Sequence, residues 1–177
     1  RYEIYKNILI DFTDYHHKII FSEDTTALNY LEKRGISKST ILEFRLGYVP
    51  YNSEFYKDIS KKFSEQEIME TGLFFKDEKR NRFANRFNSR IIFPVKNIPG
   101  DPIAFGGRII KESKMAKYIN SPETEFYKKG SVIFNLDKAK DSRAETNEVL
   151  IVEGYMDVIS VYSSGIKNVI ANSGTAL

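Results

Sequence analysis

Cysteine is absent from the sequence. Disulfides and thiolate zinc sites are thereby excluded within the chain, so any zinc-binding module has to lie outside it. No apolar run approaches the roughly 20 residues that a membrane-spanning helix needs. The N-terminal residues Arg1-Tyr2-Glu3-Ile4-Tyr5-Lys6 have neither the apolar core nor the cleavage site of a secretory signal. The expected compartment is the cytoplasm, with no membrane partner. Internal repeats and low-complexity tracts are also lacking. What remains is a globular sequence whose 177 residues, 41% of them hydrophobic, suffice to bury a core in one domain or two small ones.

The net charge of +3 is too small to point to a polyanionic partner, but its distribution is uneven. From Lys76 to Gly130 there are 13 Lys and Arg against 6 Asp and Glu, a local +7, so the rest of the chain carries −4. The middle third is a candidate footprint for a polyanion. A solvated lysine-rich surface is the competing reading.

Tyr5, Ile8, Leu9, Phe12, Tyr15, Ile19 and Ile20 recur at helical spacing, which predicts an amphipathic helix docked on the domain that follows. His16 and His17, adjacent on that helix, diverge by about 100° and cannot chelate one metal together. They are expected as satisfied histidines at the surface or its boundary. Asp24 is placed to cap a helix through Leu28 and Leu31 that stops at Gly35, and Ser37 restarts a short one. Leu46 to Pro50 reads as extended, and Ser64 with Glu67 forms a capping box for a helix ended by Gly72. From Arg90 the texture changes. Ile91 to Val95 and Ile103 to Gly106 are apolar runs flanking Asn97-Ile98-Pro99-Gly100-Asp101-Pro102, the signal of an antiparallel hairpin. Tyr118 to Asn120 and Val132 to Phe134 are two further short strands. Strand Val149 to Val152, a helix from about Tyr155 to Ser163 stopped by Gly165, and strand Val169 to Ala171 make one parallel βαβ unit. Two parallel strands make a poor sheet alone, so Leu177 is expected to fall inside a domain.

Most of the chemistry resides in Glu153-Gly154-Tyr155-Met156-Asp157. Glu153 stands just past the carboxyl end of a parallel strand, where ligands of such sheets sit. Gly154 permits a tight turn, and Asp157 falls in the first turn of the helix. Two carboxylates there suit a hard cation such as Mg²⁺; the alternative is that both merely favour the positive end of the helix dipole. Arg86 and Arg90, four apart, are expected to share one face of a helical turn. Arg108 follows Gly106-Gly107, a pair that would let a phosphate approach the backbone. Lys117 beside Tyr118 joins a cation to an aromatic platform, as single-stranded nucleic acid requires, although Tyr118 also fits the core of a strand.

Glu153-Gly154-Tyr155-Met156-Asp157 resembles the first motif of the Toprim domain, shared by bacterial primases, topoisomerases and some nucleases, in its primase version. The likeness continues through Tyr30 to Ile36, Gly47 to Pro50, Arg86-Phe87, Arg90 to Val95, Phe105 to Arg108, Lys117 to Thr124 and Lys129-Gly130. In order and spacing these segments resemble the RNA polymerase core of bacterial DNA primase, the DnaG family, from about residue 25 onward. Met115-Ala116, where the family often has proline, is a small departure. Ser173-Gly174-Thr175-Ala176 resembles the loop after the second Toprim strand.

The resemblance implies that Arg86, Arg108, Lys117, Tyr118 and Lys129 line a groove for template and incoming nucleotide; Arg90 is added to the nucleic-acid-binding set on its charge and its spacing from Arg86. It implies Glu153 as the principal acidic and metal-holding residue, Asp157 as its support, and Mg²⁺ or Mn²⁺ as cofactor. The family's Asp-x-Asp motif, its C-terminal helicase-binding domain and its N-terminal zinc domain would lie outside the sequence. The expected fold is α+β: an N-terminal helix or linker over 1–24, a mixed helical and β basic subdomain over 25–147, and from 148 to 177 the first βαβ unit of a Toprim-type parallel sheet. The implied function is that of a DNA primase, a nucleotidyltransferase making short RNA primers on single-stranded DNA from ribonucleoside triphosphates, in a chain that is by itself weak or inactive. Alternatives are a non-catalytic module binding single-stranded nucleic acid or nucleotides, and a topoisomerase or nuclease; a topoisomerase needs a catalytic tyrosine, whose setting nothing around Tyr118 or Tyr155 resembles, and the upstream basic motifs favour primase.

Overall fold

The computed structural model describes residues 1–172, except the side chains of Arg143 and Ala144. The serine- and glycine-containing segment from Ser173, matched above to a Toprim loop, lies outside the described residues.

Helix α1 (Tyr2–Ile20) buries Tyr5, Ile8, Leu9 and Phe12, as the periodicity predicts. Its histidines differ from expectation: both are buried. The reason is hydrogen bonding, because His16 Nδ1 pairs with Phe12 O and its Nε2 with Ser53 Oγ, while His17 Nδ1 pairs with Leu46 O. Satisfied ring nitrogens make burial of an uncharged imidazole tolerable. Burial holds His17 below its usual pKa and pushes His16 down to about 3.

Helix α2 (Thr26–Lys33) is capped one residue later than expected, at Thr25, although the Asp24 carboxylate does accept from the Thr26 N–H and hydroxyl. Helix α3 (Lys38–Phe44) has Ser37 as its cap, with Oγ accepting from Thr40 N–H. Strand β1 (Gly47–Val49) leads to short helices α4 (Phe55–Ile59) and α5 (Glu65–Glu70), the latter closed by the Ser64/Glu67 capping box. Strands β2 (Phe74–Asp77) and β3 (Arg82–Asn85) form a separate antiparallel hairpin.

Strands β4 (Arg90–Lys96), β5 (Pro102–Ile109) and β6 (Tyr118–Asn120) join β1 in an antiparallel sheet of order β1-β4-β5-β6. Side chains alternate across a strand, and here both faces are covered. Ile92 and Phe105 face α1 and pack with Phe12, Phe55, Phe74 and Phe87. Ile91, Phe93 and Val95 face the other way, toward α2, α3 and the C-terminal unit. Double burial explains why the sequence shows continuous apolar runs instead of alternation.

That C-terminal unit comprises β7 (Ile133–Phe134), α6 (Leu136–Thr146), β8 (Leu150–Val152), α7 (Tyr155–Ser163) and β9 (Val169–Asn172). Its sheet order is β7-β9-β8, with β8 and β9 parallel and β7 antiparallel to β9. Val158, Ile159 and Val169 enter the same cluster as Phe93, so the core runs continuously across residues 147 and 148. Strand β8 is the edge of its sheet among the described residues, with Leu150 41% and Ile151 55% exposed.

Candidate nucleic-acid interface and acidic strand end

Residues Arg90, Arg108, Lys117 and Tyr118 converge where β4, β5 and β6 meet. Antiparallel register sets Arg108 opposite Tyr118 and opposite Ile91, and Arg90 opposite Ile109. The Arg108 guanidinium lies 5.3 Å from the Tyr118 ring centroid and 5.8 Å from that of Tyr30, within cation–π range of both. One of its Nη groups donates to Ile109 O. Burial raises the Tyr118 pKa, and the positive charge of Arg108 opposes that rise. Lys117 is exposed immediately before β6. With Tyr30, Arg108, Lys111 and Met115 it lines an open cleft of about 350 Å³.

Arg90 departs from expectation. No helical turn links it to Arg86, because Arg86 leaves β3 and Arg90 opens β4 after the tight turn at Ser89. Arg90 is 1% exposed, and its Nη1 donates to Gly107 O and Lys117 O at 3.3 and 3.2 Å. It ties three strands together and offers no surface to a phosphate. Burial lowers its pKa, with Arg108 adding to the effect, but a guanidinium stays charged at neutral pH.

Arg86 is half-buried beside the β2–β3 hairpin, its Nε donating to Gly72 O at 2.8 Å and its guanidinium 5.6 Å from the exposed Phe75 ring. Lys129 lies in a single 3₁₀ turn, Lys129–Ser131, its N–H donating to Glu123 Oε1. The segment between them, Ser121 to Thr124, is an irregular strip in neither helix nor strand. Ser121 continues the pairing with Phe105, and Pro122 packs on Gly72. Arg86 and Lys129 are therefore attached to this strip at different points from the Arg108 cluster.

The glycine pair also serves a different purpose from that expected. A Cβ on Gly106 would fall on the Tyr155 ring, and one on Gly107 would lie 2.6 Å from Phe87 Cδ1 and 3.1 Å from Arg90 Cδ. Both glycines admit side chains from opposite faces of the sheet, and neither opens the backbone to a ligand. Tyr155, taken from sequence as part of an acidic motif only, is a main anchor: it stacks on Phe93 at 5.4 Å and its hydroxyl donates to Asn120 Oδ1. Nothing in the spacing of the residues signalled that contact.

Glu153 follows β8, exposed, and Gly154 caps α7. Asp157 sits in the first turn, exposed, with its carboxylate folded back so that Oδ2 lies 3.6 Å from where a Gly154 Cβ would be. Two exposed carboxylates at a helix N-terminus fit a divalent cation that completes its shell with water and phosphate oxygens. Among the described residues no group of three or more acidic or histidine side chains is placed to hold a metal. None of their helices is long and apolar enough to cross a membrane.

Comparison with known proteins gives the class first. Residues 147–177 match the Toprim domain, and residues 15–140 match the N-terminal domain of the DNA primase catalytic core. The DNA primase of Deinococcus radiodurans is 40% identical over 153 residues, 85% of this chain and 27% of the relative. The zinc-binding and RNA polymerase domains of the Aquifex aeolicus primase superpose with a TM-score of 0.92 at 34% identity, covering 99% of this chain and 43% of that one. A DnaG primase catalytic domain bound to single-stranded DNA gives a TM-score of 0.88 at 31% identity, over 98% of this chain and 55% of its own. The chain belongs to the DnaG family of DNA primases. It spans about a quarter of the length of the curated relatives it matches.

Proposed function

We propose that this chain forms the template-handling face and the first acidic strand end of a primase that synthesises RNA primers on single-stranded DNA. The observation that carries this reading is the Tyr155–Asn120 hydrogen bond, which fixes the Glu153–Asp157 turn against the strand that bears Tyr118 and follows Lys117. Acidic and basic groups are thus held on one rigid core instead of on separately moving segments. The DnaG domain solved with single-stranded DNA supports the choice of template.

In the proposed reaction a primer 3′-hydroxyl attacks the α-phosphorus of a ribonucleoside triphosphate: a new P–O bond forms as the hydroxyl gives its proton to a carboxylate or water, and the bond from the α-phosphorus to the bridging oxygen breaks to release pyrophosphate. Arg108 neutralises phosphate charge from a position set before substrate arrives, which lowers the reorganisation needed in the transition state, and exposed Lys117 adds a second positive charge beside it. Tyr118, 39% exposed, offers a ring to a base. Arg86 and Lys129 extend the positive surface along the 121–124 strip. A divalent cation, Mg²⁺ or Mn²⁺, held by Glu153 with Asp157 beside it, would supply charge neutralisation at the leaving oxygens.

With two carboxylates at one strand end, this chain by itself is expected to bind template and to polymerise little. The test is template-directed ribonucleotide incorporation by the full-length protein and by this chain, alongside affinity for single-stranded DNA across salt concentrations. A phosphate groove loses affinity steeply as salt rises, and Lys117→Ala lowers the log–log slope by about 1. Absence of binding at low salt would sink the reading. Tight binding with no incorporation by the full-length protein would favour a non-catalytic nucleic-acid module.

A further inference from the structure

Most lysines of the chain are exposed, and one that is partly buried calls for a carboxylate beside it. Lys6 has Glu3 at 3.2 Å, and Lys138 has Asp137 at 3.6 Å. Lys96, the last residue of β4, is partly buried as well, yet among the described residues no carboxylate lies within ion-pair distance of its ammonium. The strand pairing slips at this point. Val95 stands opposite Ala104 and Lys96 opposite Pro102, so the pleat is broken where Lys96 leaves the sheet. Helix α6 is fastened beside it, with Lys140 Nζ donating to Ile98 O at 3.2 Å.

The charges that act on Lys96 come from α6 and from the end of α3. Asp137 and Lys138 lie in the first turn of α6, and Lys138 Nζ is also 4.7 Å from the Phe44 ring centroid. Arg45, which follows α3, is paired with Asp14 of α1. Asp137 thus offsets Lys138, and Asp14 offsets Arg45. Among the described residues, Lys96 is the member of this cluster whose charge has no counterpart. Burial lowers the Lys96 pKa, Lys138 and Arg45 lower it further, and Asp137 opposes them without restoring it. More of this amine is therefore unprotonated and nucleophilic at neutral pH than of an exposed lysine.

We propose that Lys96 is an acylation site, a half-buried amine that takes a small acyl group from a thioester. The amine attacks the carbonyl carbon, a C–N bond forms, the C–S bond breaks, and the thiol departs with the proton that the nitrogen gives up. The product amide is neutral. It leaves both ion pairs standing and ends the repulsion with Lys138 and Arg45. The modified residue stands at the seam where the central sheet meets the C-terminal unit, since β4 and α6 flank it.

The test follows acetylation of each lysine in the full-length protein by mass spectrometry, with acetyl-coenzyme A as the probe. At neutral pH Lys96 is expected to react about threefold or more faster than exposed Lys33 and Lys38, the mark of a larger unprotonated fraction. Its rate should also level off at a lower pH than theirs. Lys138→Gln removes a neighbouring cation and frees Asp137, so Lys96 holds its proton more firmly and its rate falls toward that of Lys33. Lys138→Arg keeps the wild-type rate. Should Lys138→Gln fail to fold, the pH profile of the unaltered protein decides alone. Lys96→Gln, which carries a neutral amide, keeps the wild-type urea midpoint. A Lys96 rate at or below that of Lys33 and Lys38 would overturn the inference, as would one that climbs with pH in parallel with theirs or ignores Lys138→Gln. A lowered midpoint for Lys96→Gln would show that the fold needs the charge and would overturn it too.

Discussion

The ring of Tyr155 fills the space into which a side chain on residue 106 would project, so Gly106 of the central sheet and Tyr155 of the C-terminal unit are complementary shapes. The contact joins a residue of the Toprim motif to the strand that carries Arg108.

Gly106→Ala is expected to destabilise the fold by about 1–3 kcal/mol, the usual cost of forcing an extra carbon into a packed core. Urea unfolding measures it. Tyr155→Phe, which keeps the ring and loses the bond to Asn120, costs about 1 kcal/mol. Gly106→Ala with unchanged stability would mean that the Tyr155 ring sits elsewhere.

Arg90 separates structure from binding. Arg90→Met leaves the Gly107 and Lys117 carbonyls without their donor and is expected to cost about 2–4 kcal/mol in unfolding experiments. The salt slope for single-stranded DNA stays at the wild-type value, because the buried guanidinium counts no phosphate. A slope reduced by about 1 would place Arg90 in the groove after all.

His16 makes stability depend on mild acid. The unfolded chain protonates this histidine below about pH 6.5, whereas the folded chain resists protonation down to about pH 3. The unfolded state therefore binds the extra proton throughout that window. Stability falls as pH drops from about 6.5, by up to roughly 1.4 kcal/mol per pH unit. Buried His17, also shifted down, acts in the same direction. Between pH 6.5 and 5, above the range where carboxylates titrate, His16→Gln should flatten the profile of urea midpoint against pH. An unaltered profile would show that His16 is not the group responsible.

Glu153 and Asp157 differ in their claim on a cation. Mn²⁺ titrated into the protein is expected to broaden the amide signals of Gly154 through Asp157 first, and Glu153→Gln to abolish this. Asp157→Asn should weaken it without removing it. Broadening that survives Glu153→Gln would move the metal to another site.

The elements and the family were legible because they rest on local signals: caps at Ser37 and Ser64, the stop at Gly72, apolar runs on either side of Asn97 to Pro102, and an acidic turn after Val152. Charge spacing misled where the backbone was extended. Arg86 and Arg90 suggested a shared helical face, but strand geometry sent one to the hairpin and the other into the core. The glycine pair suggested a phosphate approach because sequence cannot tell an empty space that awaits a ligand from one filled by Tyr155 and Phe87. The roles of Tyr30 and Asn120 depend on contacts between residues 78 and 35 positions apart, beyond any periodicity.

Strand β8, with Leu150 and Ile151 exposed at what is, among the described residues, the margin of its sheet, bears on how the polypeptide behaves in a tube. Backbone donors and acceptors on such a margin pair readily with the same margin on another molecule. Copies of this chain prepared alone are expected to associate as concentration rises, and a charged residue at position 151 should suppress that association. Colloidal behaviour, more than folding, then sets the concentration at which binding and unfolding of the isolated chain can be measured.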